Sequence, residues 1–286
     1  MTTIDEPRTD TDAAAAVARA GSGGEQGRRS PLVTSRVLLR GLLFLLALAA
    51  LYIAWTLGAH RFEAYILPGP GPVWDSFVSM WSRGVWTEQV GSTLGHMFLA
   101  YGITIVIGLP LGILIGRFWV VEDLSRALLI FLQTVPTIVL IALALIFVGT
   151  SATGVVSVTV ASCLAYFTLN VIQGTKSIDR DLVEMAHTYG ANELTIMRTI
   201  ILPSVVPFFL AGGRITLGVA WQVTLFGEYL MGTPGVGFQI NAAIKLLDTA
   251  SVYAWGLSIV ALTIGFEYGV FRPVEAFLTR HMRRRG

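Results

Sequence analysis

Two ionisable side chains, Arg214 and Glu228, lie inside a hydrophobic run that extends from about Ser204 to Leu230. Charged groups at membrane depth are costly in hydrocarbon and usually face protein or water. On an α-helix, fourteen residues at about 100° each put the two about 40° apart on the wheel and about 21 Å apart along the axis. They therefore cannot pair with each other. Gly218 and Trp221 fall on the same face between them, and Gln222 is displaced from Arg214 by about 80°. One reading makes this face a wall of a solute path, with Arg214 attracting an anion. The other has Arg214 bonding backbone carbonyls at a dimer interface and Glu228 marking the external end of the helix. Gln133 and Thr134, beside Pro136, are further path candidates. They and Asn170 and Gln173 belong to a residue class that more often forms interhelical hydrogen bonds.

Other chemistry is not provided for. No Gly-x-x-x-x-Gly-Lys-Ser/Thr loop occurs, so nucleotide must bind elsewhere if ATP is used. The four histidines, His60, His96, His187 and His281, are scattered without metal-ligand spacing. The single cysteine, Cys163, sits in an apolar run and reads as a packing residue. No nucleophile–base pair can be assembled. The expectation is a protein without enzymatic activity, metal or cofactor, and without a nucleic-acid partner.

The elements that must position these residues follow from composition. Of 286 residues, 54% are hydrophobic and 13% charged, against roughly 25% charged in soluble domains. The pattern is that of an all-α membrane protein with about six transmembrane helices. Expected spans run over about 37–59, 97–116, 127–148, 153–173, 204–230 and 252–271, each near the length needed for roughly 30 Å of hydrocarbon. Pro110 and Pro136 lie within spans two and three. Residues 1–35 read as a disordered tail poor in large apolar side chains, and 36–286 as the transmembrane domain. The length of the first run and its polar leader argue against a signal peptide. Tyr65 to Val73 is turn-rich and expected to be extended, and Trp74 to Trp86 suits a helix at the headgroup level. Arginines before span one, between spans two and three, around 176–198 and at the chain end all fall on one side; only Arg61, Arg83 and Lys245 fall on the other. That asymmetry places both termini in the cytoplasm of a plasma (inner) membrane. Glu267 then marks the cytoplasmic end of span six.

The segment 177–207 joins spans four and five. Asp181 can cap a helix, with Glu184 three residues on completing a capping box. Leu182, Met185, Ala186 and Tyr189 share one face, and Gly190 fits the left-handed position that ends a helix. Asn192 can cap a second helix with a stripe of Leu194, Met197 and Ile201. Leu202-Pro203 is expected to end it, because a residue before proline avoids helical geometry.

Glu184, Ala186, Gly190, then Ile200, Leu202 and Pro203 resemble the cytoplasmic EAA loop of binding-protein-dependent ABC importer permeases, with Met185 where the pattern has alanine. Leu67-Pro68 and Pro70 to Val73 resemble a Leu-Pro segment of the sulfonate, taurine and nitrate branch. Phe226-Gly227-Glu228 and Gly235-Val236-Gly237 extend the likeness. The resemblance implies a permease subunit whose 184–203 stretch couples to cytoplasmic ATP-binding subunits. It also implies an extracytoplasmic solute-binding protein and a second permease subunit, as a homodimer in membrane lipid. The solute is then a small anion, sulfonate, taurine or nitrate-like, with an aromatic carboxylate or a vitamin precursor as the alternative. An ATPase-independent channel or secondary transporter, and a non-transporting scaffold, are the rival classes. No internal repeat of the kind found in secondary transporters is visible.

Overall fold

The computed structural model describes residues 31–266, 268, 269 and 273, and every regular element among the described residues is helical. In chain order the helices are α1 (Pro31–Arg61), α2 (Pro70–Ser82), α3 (Val85–Arg117), α4 (Trp119–Thr134), α5 (Thr137–Phe147), α6 (Ala152–Lys176), α7 (Arg180–Thr188), α8 (Glu193–Ile196), α9 (Leu202–Met231), α10 (Val236–Lys245) and α11 (Thr249–Phe266). A π-turn, Met197–Ile201, joins α8 to α9. The chain divides into two compact units, to Leu57 and from Gly58 onward. In the first, α1 begins at Pro31, within the stretch that the sequence assigns to the tail. Glu267 and the terminal arginines lie outside the described residues, as does most of 1–35.

Among the described residues, four helices are long and apolar enough to cross a bilayer: α3, α6, the continuous stretch Glu193–Met231, and α11. Helices α4 and α5 pass the same test only when taken together as one bent pair, and Leu45–Arg61 of α1 is a shorter apolar stretch. The third expected span, 127–148, is not one kinked helix. It is two helices bent by 99°. Val135 takes the extended geometry (φ −65°, ψ 125°) that a following proline imposes, and Pro136 itself is extended. Pro110 has no such effect. It lies between Gly108 and Gly112, where α3 is pressed along α6, and the helix continues through it.

In the second unit α6 is the central helix, with 61% of its most apolar window buried, and α3 and α9 pack along it. Gly108, Gly112 and Gly116 form a stripe at every fourth position of α3. A Cβ on Gly112 would stand 2.6 Å from Val171, and one on Gly116 2.6 Å from Thr175. Small residues at this spacing let two membrane helices meet backbone to backbone.

Two further expectations are corrected. Pro70 and Pro72 do not extend the chain; they sit in the first turn of α2, where a missing N–H and a fixed φ favour helix. Trp74, Phe77, Trp81 and Trp86 then stack, with Trp81 and Trp86 centroids 4.9 Å apart, and Trp86 Nε1 donates to Ser258 of α11 at 3.1 Å. Leu202-Pro203 does not end a helix either. Leu202 N–H reaches back to Met197 O, one residue further than in an α-turn. The wider turn accommodates a ring that would otherwise strike the preceding turn. Ser204 Oγ donates to Ile200 O at 2.7 Å, satisfying a carbonyl at the junction.

Candidate functional site

The 177–207 segment folds as an elbow. The cap of α7 is Asp179, not Asp181: its carboxylate accepts from Asp181 N–H at 3.0 Å. Both aspartates suit an N-cap, and the helix starts at the earlier. Gly190 has φ +77°. Gly190 N–H donates to His187 O at 2.9 Å and Ala191 N–H to Ala186 O at 3.0 Å, the paired bonds of a Schellman ending. Asn192 Oδ1 then accepts from Thr195 N–H at 2.8 Å and caps α8.

The elbow is tied to the membrane helices by its inner side. Val183, Ala186, Ala191, Met197 and Ile200 pack on a core of Ile113, Phe167, Val171, Ile196, Ile201 and Val205. Arg117 of α3 donates to Glu193 of the elbow at 2.7 Å, and beside it Lys176 of α6 donates to Glu122 of α4 at 2.5 Å. These pairs are partly exposed, so each contributes about 0–1 kcal/mol and sets orientation more than stability. A cavity of about 640 Å³ separates the elbow from the ends of α3 and α6, with Arg117, Lys176, Arg180, Glu122 and Glu184 on its walls.

The outer side of the elbow is apolar and open. Leu182, Met185 and Tyr189 are exposed, Tyr189 to 84%. Ala186 leaves the expected stripe for the inner side. The stripe expected on the second helix divides as well: Leu194 is exposed while Ile201 is buried, because the π-turn lies between them. Of the EAA-like residues, Glu184 and Gly190 are exposed, Ala186 and Ile200 face inward, and Leu202 and Pro203 begin α9.

The polar residues of α9 separate into two places. Arg214, Gly218, Trp221 and Gln222 line one cavity of about 180 Å³, closed by Met97 of α3 and Thr263 of α11. A second cavity of about 180 Å³ adjoins the α4–α5 break, with Gln133, Val135, Thr137, Ser162, Tyr166 and Gln222 around it. Gln222 lines both, so the displacement of about 80° on the wheel puts it between the cavities rather than away from them. Thr134 is exposed and its hydroxyl donates back to Ile130 O at 2.5 Å. Asn170 donates to Tyr166 O at 2.9 Å and closes against Gly212. Ser162 Oγ and Trp221 Nε1 are buried with no hydrogen-bond partner.

Glu228 lies elsewhere, with 0% exposure. Thr93 Oγ donates to its Oε2 at 2.8 Å, Gly237 N–H donates to the same oxygen at 3.1 Å, and His96 Nδ1 is 3.0 Å from Oε1. Thr93 Oγ also accepts from Val236 N–H, and Gln89 Oε1 from Gly235 N–H, both at 2.8 Å. Gly235 has φ +153°, and a Cβ there would stand 2.1 Å from the Glu228 carboxyl carbon. The loop before α10 is thus wrapped on one carboxylate that joins α3, α9 and α10. The partners Gln89, Thr93 and His96 are far away in sequence, and no local pattern announces them.

An all-helical, membrane-embedded chain with polar cavities along its longest spanning helix and an exposed elbow between spans defines the membrane subunit of a transporter. The chain belongs to the family of binding-protein-dependent transport system inner membrane components, whose model matches residues 108–271. It is 26% identical over 190 residues to a probable ABC transporter permease protein of Brucella melitensis biotype 1, covering 66% of this chain and 77% of that one. It is 25% identical over 219 residues to the taurine transport system permease protein of Escherichia coli K12, covering 74% and 79%. A crystal structure of an amino acid ABC transporter with histidines has the same fold, with a TM-score of 0.58 at 19% identity over 72% of this chain and 98% of that one. The chain is therefore a multi-pass permease subunit of an ABC transporter, a system that includes ATP-binding subunits and a substrate-binding protein.

Proposed function

We propose that this chain forms the translocation path of an ATP-driven importer for a small anionic solute of the sulfonate, taurine or nitrate kind. It works as a homodimer in the inner membrane, with six spans and cytoplasmic termini. The arginine asymmetry supports that orientation. The 184–203 elbow docks a cytoplasmic ATP-binding subunit, and ATP is hydrolysed there. Arg214, Gln133 and Gln222 face the path; Arg214 supplies the positive charge an anion meets. Glu228 holds the external end of α9 to the loop before α10.

The observation that carries this reading is the elbow itself. Both of its helices are capped and its hinge is closed by a Schellman pair, yet Leu182, Met185 and Tyr189 are left open. A rigid apolar face on a short, capped helix suits a groove on another protein.

The test is uptake of radiolabelled taurine and methanesulfonate into inside-defined membrane vesicles, with the ATP-binding subunit co-expressed. A bifunctional crosslinker on Tyr189→Cys should join the two subunits. Uptake should require hydrolysable ATP. Uptake that proceeds without the ATPase, with no crosslink, would establish the ATPase-independent channel or secondary transporter instead.

A further inference from the structure

We propose that the break between α4 and α5 is an oxyanion subsite of the path, holding the charged head of the solute between the first turn of α5 and the Ser162 hydroxyl. This rests on the reading of the chain as a permease for an anionic solute.

Four observations converge on the break. First, α5 is 11 residues long and begins at Thr137, with Pro136 as its N-cap and no side-chain cap. Its first amides have no acceptor four residues back, and only Val139 N–H and Leu140 N–H turn to Pro136 O. Among the described residues no backbone acceptor pairs with Thr137 N–H or Ile138 N–H, and the dipole at this helix end favours negative charge. Second, Ser162 of α6 is only 4% exposed, lines the same cavity as Thr137, and its hydroxyl has no partner. A buried serine in a helix ordinarily returns its proton to a carbonyl one turn back. This one does not, and a buried hydroxyl without a partner is costly unless a ligand or water supplies one. Third, the cavity offers two primary amides, Gln133 and Gln222, and no carboxylate. Fourth, its volume of about 180 Å³ compares with roughly 30 Å³ per liquid water. That accommodates a sulfonate-sized head with bridging water.

The end of α4 faces the same break and presents carbonyls, which would suit a cation. One of them, Phe131 O, is already occupied: Val135 N–H donates to it at 3.0 Å. Arg214 also stands in the adjoining cavity across Gln222. The first-turn amides of α5, the Ser162 hydroxyl and the two glutamine amides supply donors, and the lining holds no carboxylate, so the site suits an anion. The head is held by hydrogen bonds rather than by a formal charge, an arrangement that permits release as well as entry.

The test uses the full chain in lipid nanodiscs and sodium methanesulfonate as probe, read by titration calorimetry. Saturable binding is expected, unchanged when choline replaces sodium. Dimethyl sulfone, nearly the same shape without charge, should not bind. Ser162→Ala should weaken binding about tenfold, the effect of one hydrogen bond to a charged group. Gln133 is exposed, so its variants leave packing intact and decide the matter if the serine variant fails to fold. Gln133→Glu should weaken binding by more than tenfold, and Gln133→Lys should strengthen it. Binding that follows the cation, equal binding by all variants, or no saturable binding by the wild type would each overturn the subsite. None of these bears on docking, since the elbow is untouched. Capture of the ATP-binding subunit by the same preparations reports on the permease reading separately.

Discussion

Replacing Glu228 by glutamine is expected to loosen the C-terminal end of α9 without detaching it. The carboxylate is fully buried and takes three contacts, from Thr93, Gly237 and His96. Thr93 Oγ already accepts from Val236 N–H, so its own proton is committed to Oε2. A glutamine must therefore place its oxygen where Oε2 was and turn its NH₂ toward His96, which accepts only as the other tautomer. The contacts survive in number, but their charge assistance is lost. Hydrogen bonds to charged groups contribute about 1.5–3 kcal/mol and neutral ones about 1. Over three contacts the loss sums to about 1.5–6 kcal/mol. Glu228→Ala strands two buried donors and opens a cavity, and should cost about 4 kcal/mol or more. The assay is denaturant unfolding of the full chain in detergent, paired with hydrogen exchange at Gly235, Val236 and Gly237. Exchange there should accelerate in both variants, ahead of exchange in α6. If Glu228→Gln unfolds with the wild type and those three amides stay protected, the carboxylate does not hold the loop. A loss of uptake with unchanged stability would return Glu228 to the path wall.

Gly112→Val should destabilise by about 2–3 kcal/mol, because its Cβ would meet Val171 at 2.6 Å and the Thr168 carbonyl at 3.1 Å. Val171→Ala should recover part of that loss in thermal unfolding, and no recovery would mean the α3–α6 contact is not limiting. Gly190→Val forces a β-branched residue to φ +77°, at a strain of about 1–3 kcal/mol; ATP-driven uptake should fall while membrane insertion, read by protease protection, is kept. Arg214→Lys should retain substantial uptake and Arg214→Met should lose it if charge attraction is its role. Equal loss of assembled dimer by both would instead assign it to bridging helices. Cysteines at Tyr189 and Lys245 should react with an impermeant maleimide from opposite sides, and labelling of both from outside would reject the topology.

What the sequence conveyed and what it hid divide along physical lines. Gly190 and Asn192 were legible because each acts within three to five residues: one supplies φ > 0, the other an acceptor for an amide three positions on. The prolines were legible only in part. Pro136 and Pro110 look alike in a hydropathy trace, and packing decides between them: α3 is held along α6 on both sides of Pro110, whereas the segment around Pro136 adjoins a cavity. Pro203 is not a helix end because local rules forbid the α-turn there but not the wider turn that replaces it. The Gly108, Gly112 and Gly116 stripe is a local spacing legible in the sequence, though only the fold shows that it meets Val171 and Thr175. The Glu228 cluster was out of reach: its ligands sit 135 and 132 residues away on α3, and only the fold brings them together.

The widened turn at Met197–Ile201 also acts as an angular index. Beyond it, α9 is set back by about one residue, or about 100°, from where α-helical counting from Glu193 would put it. The elbow is anchored before the turn by Arg117 and Glu193, and Arg214 and Gln222 lie after it. The number of residues in the turn therefore fixes which way the cavity wall faces relative to the elbow. Chain length is constrained here more tightly than residue identity. Deleting Thr199 together with Pro203→Ala, which removes the ring that bars the α-turn, would let the helix close into α-geometry and swing Gln222 away from both cavities, while Leu182, Met185 and Tyr189 on the elbow stayed in place. Thiol accessibility of Gln222→Cys, measured with and without these two changes, reads the rotation directly.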